Sequence, residues 1–131
     1  MEKMTIATQA RTAMIDITAQ IDEFMAGHKF HRGMCYLFVP HTTAAITINE
    51  HADPDVKTDI LYELNKIIPH DDNYRHGEGN SAAHIKASII GSNLTLAVEN
   101  NRLQLGTWQG VFFCEFDGPR NRQLWIRFIP A

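Results

Sequence analysis

The sequence is poor in cysteine, and this narrows the class of protein. Only two of its 131 residues are cysteine, Cys35 and Cys114. Both lie in apolar runs, and neither belongs to a Cys-x-x-Cys pair of the kind that binds zinc. We therefore expect two buried, reduced thiols in a cytosolic protein, rather than a disulfide framework or a cysteine-based metal site.

Long apolar runs and a surplus of basic residues are also absent. No stretch approaches the roughly 20 apolar residues that a membrane-spanning helix needs. The start of the chain, Met1-Glu2-Lys3-Met4, lacks the apolar segment of a signal peptide. Twelve basic and fifteen acidic residues give a formal charge of −3, which disfavours a nucleic-acid-binding surface. The sequence thus predicts a cytoplasmic protein with neither a membrane nor a nucleic acid as its partner.

Three common catalytic signatures are missing as well. The chain has no phosphate-binding P-loop, no Rossmann glycine pattern and no His-Glu-x-x-His zinc-protease motif. Its 44% hydrophobic and 21% charged residues are ordinary for a globular protein. Because no repeat or linker interrupts the chain, we predict one domain over residues 1–131, long enough to bury a core.

Hydrophobic periodicity predicts an α+β fold. Eight strands are expected at residues 3–8, 12–18, 33–39, 44–50, 94–98, 102–105, 111–116 and 124–129. Asn100-Asn101 predicts a hairpin turn, since asparagine tolerates a positive φ. The expected architecture is a mostly antiparallel sheet with two main helices over one face.

Capping residues predict where the helices begin and end. A short helix is expected after Thr18 as its N-cap, ending near Gly27. The clearest helix begins at Asp53-Pro54, because aspartate caps well and proline suits the first helical position, and it continues to Pro69. Another is expected over residues 80–90, ending at Gly91.

Three histidines lie where predicted elements begin or end. His41 follows Val39-Pro40, His76 lies in a polar loop over residues 70–79, and His84 lies one turn into the helix predicted over residues 80–90. Neutral imidazole binds divalent metals and carries protons near pH 7. Spacing alone does not show that the three rings meet, so scattered structural histidines remain an alternative.

Polar residues beside these histidines suggest a binding site for an anion. Thr42 and Thr43 offer hydroxyls to a phosphate oxygen or a metal-bound water, although they would equally suit a capped turn. Asn80 opens a segment that resembles an anion-binding helix start, for which a tightly packed capped helix is the alternative.

Charged residues at two further boundaries are candidates for catalysis. Glu50 ends a predicted strand, where a side chain projects into a cleft, and would suit a general base or a metal-linked carboxylate. His51, which follows, is interpreted as a solvated loop histidine. Arg120 suits phosphate or carboxylate, but the sequence equally allows a pairing with Asp117 or Glu115.

The segment Gly106-Thr107-Trp108-Gln109-Gly110 interrupts a region of strands with two glycines. Glycine there indicates a bulge, or close approach by a ligand or another part of the backbone. Trp108 would stack on a heteroaromatic ring or fill an interface, and Gln109 offers both a donor and an acceptor to such a ring.

Seven segments occur in one order that is typical of a known family. They are His41-Thr42-Thr43-Ala44-Ala45, Ile48-Asn49-Glu50, Asp53-Pro54-Asp55-Val56, Tyr74-Arg75-His76, residues 80–88, Leu105-Gly106-Thr107-Trp108-Gln109-Gly110 and Glu115-Phe116-Asp117-Gly118-Pro119-Arg120. In these segments the chain resembles the YjbQ-like secondary thiamine-phosphate synthase family over nearly its whole length. Asn101 departs from the glycine that members often have, but asparagine adopts the same backbone region.

The resemblance implies an α+β, sandwich-like subunit that assembles as a homotrimer, with a metal-associated histidine site near the subunit interface. It implies weak thiamine-phosphate synthase activity, in which hydroxymethylpyrimidine diphosphate joins a thiazole phosphate and diphosphate is released. The family pattern falls on His41, Glu50, His76, His84, Trp108, Gln109, Asp117 and Arg120.

From the residues and the resemblance together, we expect a zinc-like divalent metal on His41, His76 and His84, with magnesium as the alternative. The expected catalytic residues are Glu50, His84 and Arg120, and the expected substrate-binding residues are Thr42, Thr43, Asn80, Trp108 and Gln109. Two other interpretations remain: a trimeric binding protein for a small anionic metabolite without catalysis, and a metal-dependent hydrolase.

Overall fold

The computed structural model describes residues 1–131 and contains eight strands and three helices. The strands are β1 (Glu2–Ala7), β2 (Ala13–Asp16), β3 (Gly33–Phe38), β4 (Ala44–Glu50), β5 (Asn93–Glu99), β6 (Arg102–Leu103), β7 (Gln109–Glu115) and β8 (Asn121–Pro130). The helices are α1 (Thr18–Gly27), α2 (Pro54–Ile67) and α3 (Ser81–Ile90). The predicted α+β class is confirmed, and none of the helices is long and apolar enough to cross a membrane.

The strands form two antiparallel sheets. One has the order β1-β8-β3-β5-β6, and the smaller one has the order β2-β7-β4. A cluster of 15 buried apolar residues contains side chains from both sheets and from α1. A second cluster of seven lies on the other face of the small sheet, where Ala83 and Ala87 of α3 and, at its edge, side chains of α2 cover it. The small sheet is therefore covered on both faces.

Strand β7 shows why one segment of the sequence is continuously apolar. Successive side chains of a strand point to opposite faces, so Val111 and Phe113 join the larger cluster while Phe112 and Cys114 join the cluster under the helices. A strand that is buried on both faces has no position for a solvated side chain.

Most of the predicted turns and caps are confirmed. Asp53 accepts a hydrogen bond from the backbone N–H of Asp55 (2.9 Å), with Pro54 next to it at the helix start. Asn100 and Asn101 have φ of 53° and 62° in the hairpin between β5 and β6, and α3 ends at Gly91. The two cysteines are buried and unpaired.

The prediction that Thr18 is the N-cap of the first helix is wrong. Thr18 is instead the first helical residue, preceded by Ile17, and the cap makes no side-chain hydrogen bond. The Thr18 hydroxyl donates to Asp16 Oδ1 (2.6 Å) and accepts from the backbone N–H of Val111 (2.8 Å). A contact with a distant strand thus takes the oxygen that would otherwise cap the helix.

Candidate functional site

The segment that precedes β4 and helix α3 together form a cleft of about 320 Å³, which we call the histidine cleft. His41 and His84 both line it, because α3 packs against β4. Its other lining residues are small or hydroxylic: Thr42, Ala44, Ala87, Ser88, Gly91 and Ser92. Two of the three candidate histidines therefore share one opening, and Thr42 lies beside them.

His84 also borders a second, more open groove of about 370 Å³, which contains His76. The ring centres of His76 and His84 are 5.3 Å apart and the ring planes are perpendicular. Tyr74 donates from its hydroxyl to the carbonyl of Pro69 (2.7 Å), which holds the polar loop that carries His76. His84 is thus the histidine that the cleft and the groove have in common.

The spacing of His76 and His84 suits a shared metal ion. Two imidazoles bound to one tetrahedral zinc, with nitrogens about 2.0–2.1 Å from it, have ring centres about 5 Å apart. No group of three histidine, cysteine, aspartate or glutamate side chains in the chain is arranged to hold a metal. The expected set of three histidines is therefore not assembled within one chain, and the metal stays a prediction.

The hydrogen bonding of His41 explains why it does not join the other two. Its Nε2 accepts a hydrogen bond from the backbone N–H of Gln123 (2.9 Å), so in the neutral ring the proton is on Nδ1. Burial and the positive charge of Arg122 lower the pKa of His41 from its ordinary value, which favours the neutral ring. In this arrangement His41 offers an N–H donor rather than a lone pair for a metal.

A buried ion pair lies next to His41, and the sequence did not reveal it. Arg122 and Glu115 are 3% and 0% exposed, and Nε of Arg122 donates to both carboxylate oxygens of Glu115 (2.9 and 3.1 Å). Burial acts to raise the pKa of Glu115, but hydrogen bonds from Arg122 and Thr8 lower it overall. In the sequence, the only indication of this ion pair is Glu115, the single charged residue in the otherwise apolar strand predicted over residues 111–116.

This ion pair also determines the role of Thr43, which was predicted to bind substrate. Thr43 is buried, and its hydroxyl accepts a hydrogen bond from Nη2 of Arg122 (2.8 Å). The hydroxyl oxygen of Thr43 faces the ion pair rather than a ligand, so this residue holds the start of β4 in place beside His41. Thr42, by contrast, is exposed and lines the histidine cleft.

Asp117 connects the start of α3 to the turn before β8. Its Oδ2 accepts from Nδ2 of Asn80 (2.9 Å) and from Nη2 of Arg120 (3.1 Å), and its carbonyl accepts from Nε of Arg120 (2.9 Å). Arg120 therefore pairs with Asp117, the alternative that the sequence left open, while its side chain stays half exposed. Oδ1 of Asn80 is buried and has no hydrogen-bond partner.

The other three predicted site residues lie at the far end of the small sheet. Strands β4 and β7 pair so that Ala44 is opposite Glu115 near His41, whereas Glu50 is opposite Gln109. At about 3.3 Å per residue, Ala44 and Glu50 are about 20 Å apart. Glu50, Trp108 and Gln109 are therefore absent from the histidine cleft of their own chain.

At that far end, Gln109 has a structural partner. Its Oε1 accepts a hydrogen bond from the backbone N–H of Gly106 (2.8 Å), which closes the turn that presents Trp108. Trp108 is 62% exposed. The indole is thus available to a ligand or to another chain, while the amide of Gln109 already has a bond within the turn.

His51 is exposed and lies outside the strands and helices, as expected of a solvated loop residue, and it also contacts another side chain. Its Nδ1 lies 2.9 Å from Oδ2 of Asp16, and a Cβ on Gly110 would lie 2.5 Å from the His51 ring. Burial acts to raise the pKa of Asp16, but hydrogen bonds from Thr18 and His51 lower it overall. The contact between His51 and Asp16 forms because β2 and β4 flank β7, which brings Asp16 close to the end of β4.

Comparison with known proteins agrees with this fold. Residues 2–131 match the family model described as "UPF0047 protein YjbQ-like". The chain belongs to the YjbQ-like family. Among its relatives is the "UPF0047 protein YugU" of Bacillus subtilis, which is 47% identical over 130 residues and is matched over 98% of each chain.

Solved structures of YjbQ-like proteins have the same fold. A family member from Clostridium acetobutylicum, 47% identical, superposes with a TM-score of 0.93 over 98% of this chain and 100% of the other. A protein from Sulfolobus solfataricus, 29% identical, superposes with a TM-score of 0.91 over 99% of this chain and 96% of the other. The family resemblance seen in the sequence is therefore confirmed.

Proposed function

We propose that the histidine cleft binds the phosphoryl groups of a small phosphorylated metabolite, and that the chain is a weak thiamine-phosphate synthase. The observation that carries the proposal is the convergence of His41, a neutral N–H donor, and His84 on one cleft beside Thr42. An N–H donor and a hydroxyl at a cleft suit a phosphate oxygen. The choice of substrates rests on the family resemblance.

In the proposed reaction, the thiazole nitrogen attacks the methylene carbon of hydroxymethylpyrimidine diphosphate. A carbon–nitrogen bond forms, the carbon–oxygen bond to diphosphate breaks, and its electron pair leaves with the diphosphate. No nucleophile from the protein is needed. The chain would stabilise the departing charge with Nδ1–H of His41 and the half-exposed guanidinium of Arg120. The N–H groups of Ser81 and Ala82 at the start of α3 would add to this, since those of the next two residues already donate to the carbonyl of Asn80.

His76 and His84 would hold a divalent metal. We expect zinc rather than magnesium, because imidazole nitrogen is a better ligand for zinc. A metal bound there would add positive charge beside the departing diphosphate. The remaining coordination positions would be open to water or to an oxyanion.

A turnover assay tests the synthase proposal. Zinc-loaded and magnesium-loaded protein would be given hydroxymethylpyrimidine diphosphate and thiazole phosphate, and thiamine phosphate would be measured. We expect product above background, and a rate reduced at least about tenfold in His84→Ala, since loss of one charge-stabilising group commonly costs that much or more. His31→Ala, an exposed histidine before β3, is the matched control. No product from either metal form would refute the synthase proposal.

A second candidate is a binding protein for a small anionic metabolite that does not catalyse a reaction. The hydrogen bond from Gln123 to His41 favours it, because a cleft that offers a proton donor binds anions without any metal. Calorimetry with thiazole phosphate distinguishes the two candidates. Saturable binding that His84→Ala weakens, together with no turnover, would support the binding protein and contradict the synthase.

We also propose that the chain forms a homotrimer in which Glu50 and Trp108 of one copy reach the histidine cleft of a neighbour. In support, both residues lie far from the cleft of their own chain, Trp108 is 62% exposed, and Ile89 on α3 is equally exposed. Light scattering should give three times the 14.9 kDa chain mass, and Ile89→Glu should lower it. A monomeric wild-type chain would refute this arrangement.

We assign either candidate to the cytoplasm. Cys35 and Cys114 are buried and unpaired, as expected for thiols in a reducing compartment. A small phosphorylated or anionic metabolite is the partner that both candidates share.

A further inference from the structure

Lys86 is one of two buried cationic side chains in the molecule, and it is the one without an acidic partner. The side chain is 3% exposed and extends from α3 beneath α2. Its ammonium donates to Oδ1 of Asn65 (2.5 Å) and lies 6.0 Å from the ring centre of Phe116. Arg122, the other buried cation, is by contrast paired with Glu115.

This arrangement leaves the ammonium of Lys86 only partly satisfied. An ammonium has three N–H donors, and Asn65 takes one of them. Burial of a charge is costly unless a counter-charge and hydrogen bonds compensate for it. The chain supplies no carboxylate at this point, so an anion that bound beside Lys86 would compensate for the burial of its charge.

A cavity of about 260 Å³ adjoins Lys86, and we call it the Lys86 cavity. It is lined by Arg11, Thr12, Asn65, His70, Ala82, Lys86 and Phe116. None of these residues is acidic, and two of them, Arg11 and Lys86, are basic. The volume lies just below the roughly 300–1,000 Å³ of pockets that bury drug-sized ligands, so it suits a small ligand.

The Lys86 cavity is distinct from the histidine cleft. Residues that are two apart on a helix point about 200° from each other, so Lys86 faces the α2 side while His84 faces the cleft. The two openings share no lining residue. A ligand in one therefore does not occupy the other.

We propose that the Lys86 cavity is a second anion-binding site, which takes the phosphate group of a small metabolite between Lys86 and Arg11. Two positive charges with no acidic neighbour in the lining match a phosphate group, which carries about −1.5 to −2 at pH 7. Thr12 and Asn65 add polar side chains that are already held together, since Nδ2 of Asn65 donates to the Thr12 hydroxyl (3.3 Å). The site needs neither the metal nor the reaction proposed for the histidine cleft.

Titration of the full chain with inorganic phosphate at constant ionic strength tests this site, with backbone amide resonances as the readout. We expect saturable shifts at Thr12 and Asn65 in the wild type. Lys86→Met keeps the apolar stem and should weaken phosphate binding at these amides about tenfold to hundredfold, the effect of losing one charged hydrogen bond. Lys66→Met, at an exposed lysine on α2, is the matched control and should bind as the wild type does.

Two further variants make the outcome decisive. Arg11→Gln changes an exposed side chain, so the chain should fold even if Lys86→Met does not, and it should weaken phosphate binding at Thr12. His84→Ala should leave that binding unchanged, which separates this site from the histidine cleft. The proposal is overturned by an absence of saturable shifts at Thr12 and Asn65, or by unchanged affinity in both Lys86→Met and Arg11→Gln.

Discussion

At the scale of single residues, hydrogen-bond partners decide what each polar side chain can do. His41 is a proton donor because the backbone N–H of Gln123 occupies its Nε2. Thr43 is a structural residue because Arg122 donates to its hydroxyl, whereas Thr42, the preceding residue, stays free for a ligand. The residue type determines which hydrogen bonds a side chain can make, and its hydrogen-bond partner in the fold determines which of them remain available to a ligand.

The buried ion pair should contribute strongly to stability. Arg122→Met leaves the carboxylate of Glu115 buried without a counter-charge, so we expect a loss of about 3–5 kcal/mol in the free energy of unfolding. Arg120→Met removes a half-exposed pair and should cost less than about 1 kcal/mol. Urea unfolding at pH 7 measures both losses. Equal losses in the two variants would show that the burial of Arg122 and Glu115 has no special energetic consequence.

The same pair predicts how stability depends on pH. The folded chain holds the pKa of Glu115 below its ordinary value of 4.5, so this stabilisation is complete above that value. It is lost as the pH falls through the lower, folded-state pKa. Between pH 5 and pH 3 the wild type should therefore lose more stability than Arg122→Met/Glu115→Leu, as measured by urea midpoints. Parallel pH profiles would contradict this assignment.

At the scale of elements, local capping sequences were reliable only where no distant contact competed for them. Asp53-Pro54 starts α2 as predicted, because the Asp53 carboxylate bonds to an N–H two residues later. Thr18 does not cap α1, because β7 takes its hydroxyl. Both residues are good N-caps by type, so the difference lies in the surroundings.

Removal of the α2 cap gives a test at this scale. Asp53→Ala should lower the free energy of unfolding by about 1 kcal/mol, the usual cost of losing an N-cap side chain. Asp59→Ala, an exposed position further along α2, removes the same charge without removing a cap and should cost clearly less. Chemical denaturation of the three proteins gives the comparison. A smaller effect at Asp53 than at Asp59 would mean that Asp53 is not the cap.

At the scale of the whole molecule, two apolar clusters share one small sheet. Cys35 lies in the cluster between the sheets, and Cys114 lies in the cluster under α2 and α3. Because β7 contributes side chains to both clusters, we expect the molecule to unfold as one unit rather than in layers.

The two thiols report on this cooperativity. Burial raises the pKa of Cys35 to about 11 and that of Cys114 to about 12, and the thiolate is the reactive form. At pH 8 a thiol reagent should therefore leave the folded protein unmodified and react with both cysteines at the same urea concentration. Cys35→Ala and Cys114→Ala, measured separately, should give coincident transitions. Exposure of Cys114 at a lower urea concentration would reveal independent melting of the helical layer.

The sequence by itself determined the strands, the hairpin at Asn100 and Asn101, the start of α2 and the family. These depend on the alternation of apolar residues, on φ preferences and on motif order, all of which are local properties of the chain. The same local patterns identified His41, His76 and His84 as residues at element boundaries.

Only the tertiary structure decided which of these residues meet. The packing of α3 on β4 brings His84 to His41, and the length of β4 separates Glu50 from both. The proton position on His41, the Arg122–Glu115 pair and the burial of Lys86 each depend on segments distant in sequence. Hydrogen bonding and burial act through space, so no local pattern specifies them.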